Sequence, residues 1–178
     1  MQSELHSPQT AQNLCETGNQ FKSQGKFNEA IESYQKALEI QPDYAQAHHE
    51  IGEVYLLQRK FSEATASATV ALKLQPDFAP AYKTLGNGLQ AEGKIEEALG
   101  AYSKALEIDP EFAEALVNKG TMLSKLGQPN DAIAYYEKAI AIKPEMPAAH
   151  WNMGNVLMQL ERSDEAVPYW QKAFELLV

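Results

Sequence analysis

Residues 79–108 show the pattern of apolar and polar positions in its plainest form. Tyr82, Leu85, Gly86 and Leu89 fall on one helical face, the short polar segment Ala91–Glu92–Gly93–Lys94 interrupts, and Ile95, Ala98, Leu99, Tyr102, Ala105 and Leu106 resume the helical spacing. Two amphipathic helices joined by a tight turn are predicted. Gly93, like Gly25 and Gly127, stands where the first helix of such a pair must stop and turn. Pro110 ends the second helix, since proline lacks the N–H and clashes with the preceding turn. Glu96 and Glu97 load the first turn of that helix with negative charge, which suits its dipole.

The same pattern recurs along the chain. Gly18, Gly52, Gly86, Gly120 and Gly154 are each 34 residues apart, and Ala30, Ala64, Ala98, Ala132 and Ala166 keep that spacing. So do Ala37, Ala71, Ala105, Ala139 and Ala173, while Pro42, Pro76, Pro110 and Pro144 form a fourth column that ends at Val178. Small residues in these columns let helix backbones approach closely. The chain therefore divides into an N-terminal tail, 1–10, and five helix pairs, 11–44, 45–78, 79–112, 113–146 and 147–178, the last without a capping helix. The fold class is all-α.

Glycine, alanine, aromatic and proline columns in one register resemble the tetratricopeptide repeat, and the resemblance covers residues 11–178. It implies a right-handed superhelical solenoid of antiparallel helix pairs, whose first helices line a concave groove that holds a peptide or partner protein. Two departures stand out. Ala68 replaces the expected aromatic of repeat two, leaving room that neighbours must fill, and Pro168 lies early in the last helix.

Composition narrows the function. Fifteen Lys and Arg against twenty-four Asp and Glu give a net charge of −9, a surface that repels phosphate backbones and anionic lipid, so neither nucleic acid nor membrane is an expected partner. No apolar run approaches the roughly 20 residues that span a bilayer, and the N-terminus lacks a signal-peptide pattern; a cytoplasmic location is expected. No nucleophile elbow, phosphate loop or nucleotide fingerprint is present, and Ser7 beside His6 lacks an orienting acid, so the chain as given reads as non-catalytic and without cofactor. His49 and Glu53 share a helical face, but two ligands do not make a metal site; a solvated polar pair is expected. His48 and His150 occupy an inter-helix packing column, and Cys15 reads as an inert thiol.

Helical geometry maps the groove. Opposite the packing face, the first helices carry Cys15, Glu16, Asn19 and Lys22, then His49, Glu50, Glu53 and Leu56, then Lys83, Thr84, Asn87 and Gln90. Repeats four and five add Val117, Asn118, Thr121 and Ser124, and Trp151, Asn152, Asn155 and Met158. The front is polar and acidic; the back joins amides to apolar and aromatic surface. The pattern resembles the carboxylate clamp of chaperone-adaptor repeats at Lys83, Asn87 and Asn118, but Ala148 and Asn152 stand where that clamp needs cations. Asn118 and Asn152 are similar to the asparagine ladder in the repeat arm of O-linked N-acetylglucosamine transferases, whose amides pair with peptide units of any sequence; Glu16, Glu50 and Thr84 break that ladder. The expected peptide-binding residues are Lys83, Asn87, Val117, Asn118, Thr121, Trp151, Asn152, Asn155 and Met158, with Trp151 as anchor. The alternatives are a substrate-recruiting arm of a larger enzyme such as a glycosyltransferase, and a self-association module. The final helix ends on Phe174, Leu176, Leu177 and Val178, and Leu176 shares a column with Ile108 and Ile142, which are expected to face the next repeat. That predicts either a longer protein or a homo-oligomer through the uncapped end.

Overall fold

In the computed structural model, which describes residues 8–177, ten helices follow one another and no strand occurs among the described residues. They are α1 (Pro8–Ser23), α2 (Phe27–Ile40), α3 (Ala45–Leu57), α4 (Phe61–Leu74), α5 (Ala79–Ala91), α6 (Ile95–Ile108), α7 (Ala113–Lys125), α8 (Pro129–Ile142), α9 (Pro147–Gln159) and α10 (Ser163–Glu175). The chain forms two compact bodies, residues 1–93 and 94–178. Helices α1–α5 make the amino-terminal body and α6–α10 the carboxy-terminal body. Helix α1 opens at Pro8, inside the stretch expected as tail, and His6, Ser7 and Val178 lie outside the described residues.

The turns inside the pairs share one closure. Lys26 N–H bonds to Phe21 O at 2.9 Å, Lys60 to Tyr55 at 2.8 Å, Gln128 to Leu123 at 2.9 Å and Arg162 to Leu157 at 2.9 Å. Each is the long bond of a helix C-terminal motif that needs one residue in the left-handed region. Gly25 (φ 73°) and Gly127 (φ 76°) supply it without strain, whereas repeats two and five place Arg59 (φ 60°) and Glu161 (φ 61°) there.

The glycine column marks a real close approach. A Cβ on Gly18 would stand 2.4 Å from the Tyr34 ring, on Gly120 2.7 Å from Tyr136, and on Gly154 2.5 Å from Trp170. Repeat two lacks the aromatic, and there the space beside Gly52 is filled by Thr84, whose methyl would lie 3.2 Å from such a Cβ. The room left by Ala68 is thus taken up from the following repeat. Helix α10 runs through Pro168 without interruption.

Each body has its own core. In the first, Cys15, Ala30, Tyr34, Ala47, Ile51 and Val54 cluster, with Phe21, Phe27 and Tyr44 packed around them. In the second, α7–α10 enclose Leu116, Val117, Tyr136, Met153, Val156 and Leu157. The column of Leu176 behaves differently from expectation. Leu74 (41% exposed), Ile108 (38%) and Ile142 (43%) stand exposed although a repeat follows each, while Ile40 and Leu176 are half-buried, so the next repeat does not bury this column.

Candidate functional site

The first-helix face of the amino-terminal body is a closed polar network. Glu50, 7% exposed, pairs with Lys22 and accepts a hydrogen bond from Gln46 Nε2 at 2.6 Å. One helical turn on, Glu53 pairs with Lys83 Nζ at 3.4 Å and accepts the Thr84 hydroxyl. Thr84 is fully buried, and His49 Nδ1 lies 3.1 Å from its oxygen. A threonine hydroxyl has one proton, and the carboxylate is its strongest acceptor, so His49 carries its proton on Nδ1 and donates to Thr84. The imidazole packs edge-on to Phe78 at 5.1 Å.

This arrangement corrects the expectation of a solvated pair at His49 and Glu53. Burial pushes the His49 imidazole down from its ordinary value, against the opposing pull of Glu53 and Glu50. Burial alone would raise Glu53, but the Lys83 charge, the Thr84 hydrogen bond and His49 outweigh it and hold the carboxyl below the ordinary range. Lys83, expected to meet a peptide, is engaged by Glu53. Asn87 is half-buried and lines an open groove of about 470 Å³ with Lys22, Ser23, Glu53, Leu56 and Leu57. Cys15 is 3% exposed and burial pushes its thiol up to about 12, with the Glu50 charge adding to it. Such a thiol stays protonated and unreactive.

The packing histidines repeat one geometry. His48 Nε2 lies 3.2 Å from Pro42 O, and His150 Nε2 lies 2.7 Å from Pro144 O. Each ties the loop that enters a repeat to its first helix. Among the described residues, no three His, Cys, Asp or Glu side chains gather as metal ligands.

The first-helix face of the carboxy-terminal body is built from α7 and α9 and carries different chemistry. Thr121 donates to Val117 O at 2.9 Å, lies 3.3 Å from Tyr136 Oη and accepts Asn152 Nδ2 at 3.3 Å. Asn118 and Asn152 are half-buried side by side in the repeat register. Asn155 is exposed, and its carbonyl accepts Trp170 Nε1 at 3.1 Å. Trp151 and Met158 stand 44% and 43% exposed. Val117 does not join them: at 4% exposure it belongs to the core, because α9 covers the edge of α7 on which it sits.

Trp151 is the centre of an aromatic group that the sequence columns only partly revealed. Phe174 meets it edge-on with ring centroids 5.8 Å apart, and Trp170 lies at 6.4 Å. Beside it, Pro147, Ala148, Asn152, Ala173 and Leu177 complete an apolar groove of about 430 Å³. Pro147, Ala173, Phe174 and Leu177 fall outside the stripe that helical geometry mapped. Leu177 carried a signal: earlier repeats place Gln41, Gln75, Asp109 and Lys143 at that position, so an apolar residue there breaks a polar column.

Comparison with known proteins agrees with the repeat architecture. Models described as TPR repeat and tetratricopeptide repeat match residues 18–58 and 86–127, 113–146, and 147–176. No curated protein matches by sequence. Among solved structures, MamA is 28% identical over 89% of this chain and 93% of its own, with a TM-score of 0.74. A thermophilic TPR protein of Thermus thermophilus is 21% identical over 93% of this chain and 91% of its own, with a TM-score of 0.80. YrrB, a TPR protein with an unusual peptide-binding site, is 23% identical over 92% and 84%, with a TM-score of 0.68.

Proposed function

Since the chain belongs to the tetratricopeptide repeat family, whose members generally mediate protein–protein interaction, we propose that it holds an extended segment of a partner protein on the α7–α9 face. The carrying observation is Trp151, 44% exposed in an apolar groove that Asn152 also lines, with Asn118 and Asn155 on the same first-helix stripe. Large apolar side chains of the segment fill the groove, and the amides meet its backbone, which makes recognition tolerant of side-chain identity. YrrB, of similar fold, offers a precedent for peptide binding by such an array. The array itself acts as a non-catalytic module, and its acidic surface favours partners with basic flanks.

The test is selection of binding peptides from a phage-displayed random library on the intact chain, followed by calorimetry with the selected peptides. Trp151→Ala should weaken binding by at least ~2 kcal/mol, and Asn152→Ala by ~1 kcal/mol. Glu39→Ala, on α2, should change nothing. Equal losses from Glu39→Ala and Trp151→Ala would place the binding surface elsewhere.

A further inference from the structure

Repeat four carries a cationic pocket that the Trp151 groove does not explain. Residues of α6, α7 and α8 line an open space of about 470 Å³, and none of them belongs to that groove. Two lysines converge there on one ring: Lys119 Nζ lies 4.8 Å from the Tyr135 centroid and Lys138 Nζ 5.7 Å. Neither ammonium has a carboxylate partner among the described residues. A lysine that serves the fold has an acid beside it, as Lys22 has Glu50 and Lys83 has Glu53. A ring face compensates a cation only in part.

The repeat columns show that each part of the pocket departs from its equivalents. Lys119 stands in the column of Ile51, Leu85 and Met153. Ile51 and Met153 are buried, and Lys119 is half-buried, so a cation takes the place of an apolar packing residue. Lys138 shares its column with Lys36, Lys104 and Lys172, each held by an acid of its own helix: Glu32 at 2.8 Å, Glu107 at 2.6 Å and Glu175 at 3.2 Å. In repeat four the positions of those acids are Ala134 and Ala141, which leaves Lys138 to the pocket. Tyr135 replaces the small Ser33, Ser67 and Ala101, and Ser103 replaces the longer Gln35, Glu137 and Gln171. The first change supplies the ring between the lysines; the second leaves room on α6.

We propose that this pocket binds an acidic segment of a partner protein, with one carboxylate between Lys119 and Lys138 and a neighbouring apolar side chain against Leu99 and Leu123. Asp131, which also lines the pocket, keeps the first-turn position of Glu29, Glu63, Glu97 and Glu165 and so answers to the dipole of α8. Two cations against that one carboxylate leave a single positive charge, which suits a monoanion better than a phosphate dianion. The rest of a chain of net charge −9 repels an acidic ligand, which confines it to this pocket.

The probes are decapeptides selected from a phage-displayed library on the full-length Trp151→Ala chain, so that the Trp151 groove does not choose them. The selected peptides should carry Asp or Glu beside an apolar residue. Fluorescence anisotropy should then give saturable binding to the unsubstituted chain, with the same affinity for Trp151→Ala. Replacing the peptide's acid by its amide should weaken binding about tenfold, as should Lys138→Gln or Lys119→Met in the protein. Lys119→Met copies Met153 of the same column, so the melting temperature should hold or rise while binding falls. Failure to select acidic peptides, or affinity indifferent to both lysine variants, would overturn the proposal. So would a lower melting temperature for Lys119→Met with binding by Lys138→Gln unchanged, because the cations would then serve the fold. Phosphoserine in place of the acid binding about tenfold tighter would make phosphate the ligand instead. A dimer in sedimentation velocity that Lys138→Gln dissolves would make the occupant a second copy.

Discussion

The two bodies put opposite chemistry on the same structural surface. In the amino-terminal body the first-helix stripe carries Lys22, His49, Glu50, Glu53 and Lys83, and nearly all of that charge is spent internally through Thr84, Gln46 and the two Lys–Glu pairs. The corresponding stripe of the carboxy-terminal body, Val117, Asn118, Thr121, Ser124, Trp151, Asn152, Asn155 and Met158, contains no acidic, basic or histidine side chain. There Trp151, Asn155 and Met158 stand open to solvent. The same helical scaffold therefore uses its inner side chains for cohesion in one body and leaves apolar and amide surface available for contact in the other. A charged residue on such a face signals binding only when adjacent helices have not already supplied its partner.

Thr84 is the strictest test of that contrast. Thr84→Val keeps the shape but takes the hydroxyl from both His49 and Glu53, and should cost ~2–3 kcal/mol in urea unfolding. Thr121→Val, in the other body, removes a half-buried hydroxyl and should cost ~1 kcal/mol or less. Equal costs would erase the distinction between a cohesive and an available face. Restoring the missing aromatic tests the same region from the packing side. Ala68→Tyr should destabilise by ~1–3 kcal/mol, because Thr84 already fills the space beside Gly52; a stabilised variant would show that the space is empty.

Acidification should separate the bodies. Both His49 and Glu53 have folded-state values below their ordinary 6.5 and 4.5, so the unfolded chain binds protons first. Their stabilisation is fully present above those values. It is lost as pH falls below 6.5 for His49, then below 4.5 for Glu53, and onward through their folded-state values. Hydrogen-exchange protection, corrected for the intrinsic rate at each pH, should therefore fall between pH 7 and 4 in residues 45–57 before 147–159. Both tryptophans, Trp151 and Trp170, lie in the carboxy-terminal body, so their fluorescence should report the later change. The smallest expected effect is shared by both bodies. Arg59→Gly and Glu161→Gly relieve left-handed backbone at φ 60° and 61° and should each stabilise by ~1 kcal/mol at most, since glycine also loses more entropy on folding.

The repeat register was legible because it is written in steric necessity. A helix crossing where a Cβ at Gly18, Gly120 or Gly154 would stand 2.4–2.7 Å from an aromatic ring favours glycine, and a turn closed through the left-handed region favours Gly25 and Gly127. The groove stripe was legible as a set of positions, since 3.6 residues per turn fixes which side chains share a face. Which of those positions stay open was not. His49 and Glu53 read as a solvated pair because their partners, Thr84 and Lys83, come from a helix some thirty residues later. Val117 read as groove and Ile142 as interface because helical phase gives a direction but not what lies in that direction; α9 covers one and solvent meets the other. Periodicity by itself determined the helices, their pairing and their turns, all consequences of local geometry repeated every 34 residues. Only tertiary structure decided where burial falls, which charges neutralise one another, and which aromatic surface at Trp151 and Phe174 is left open, because those depend on the neighbours that packing brings across the fold.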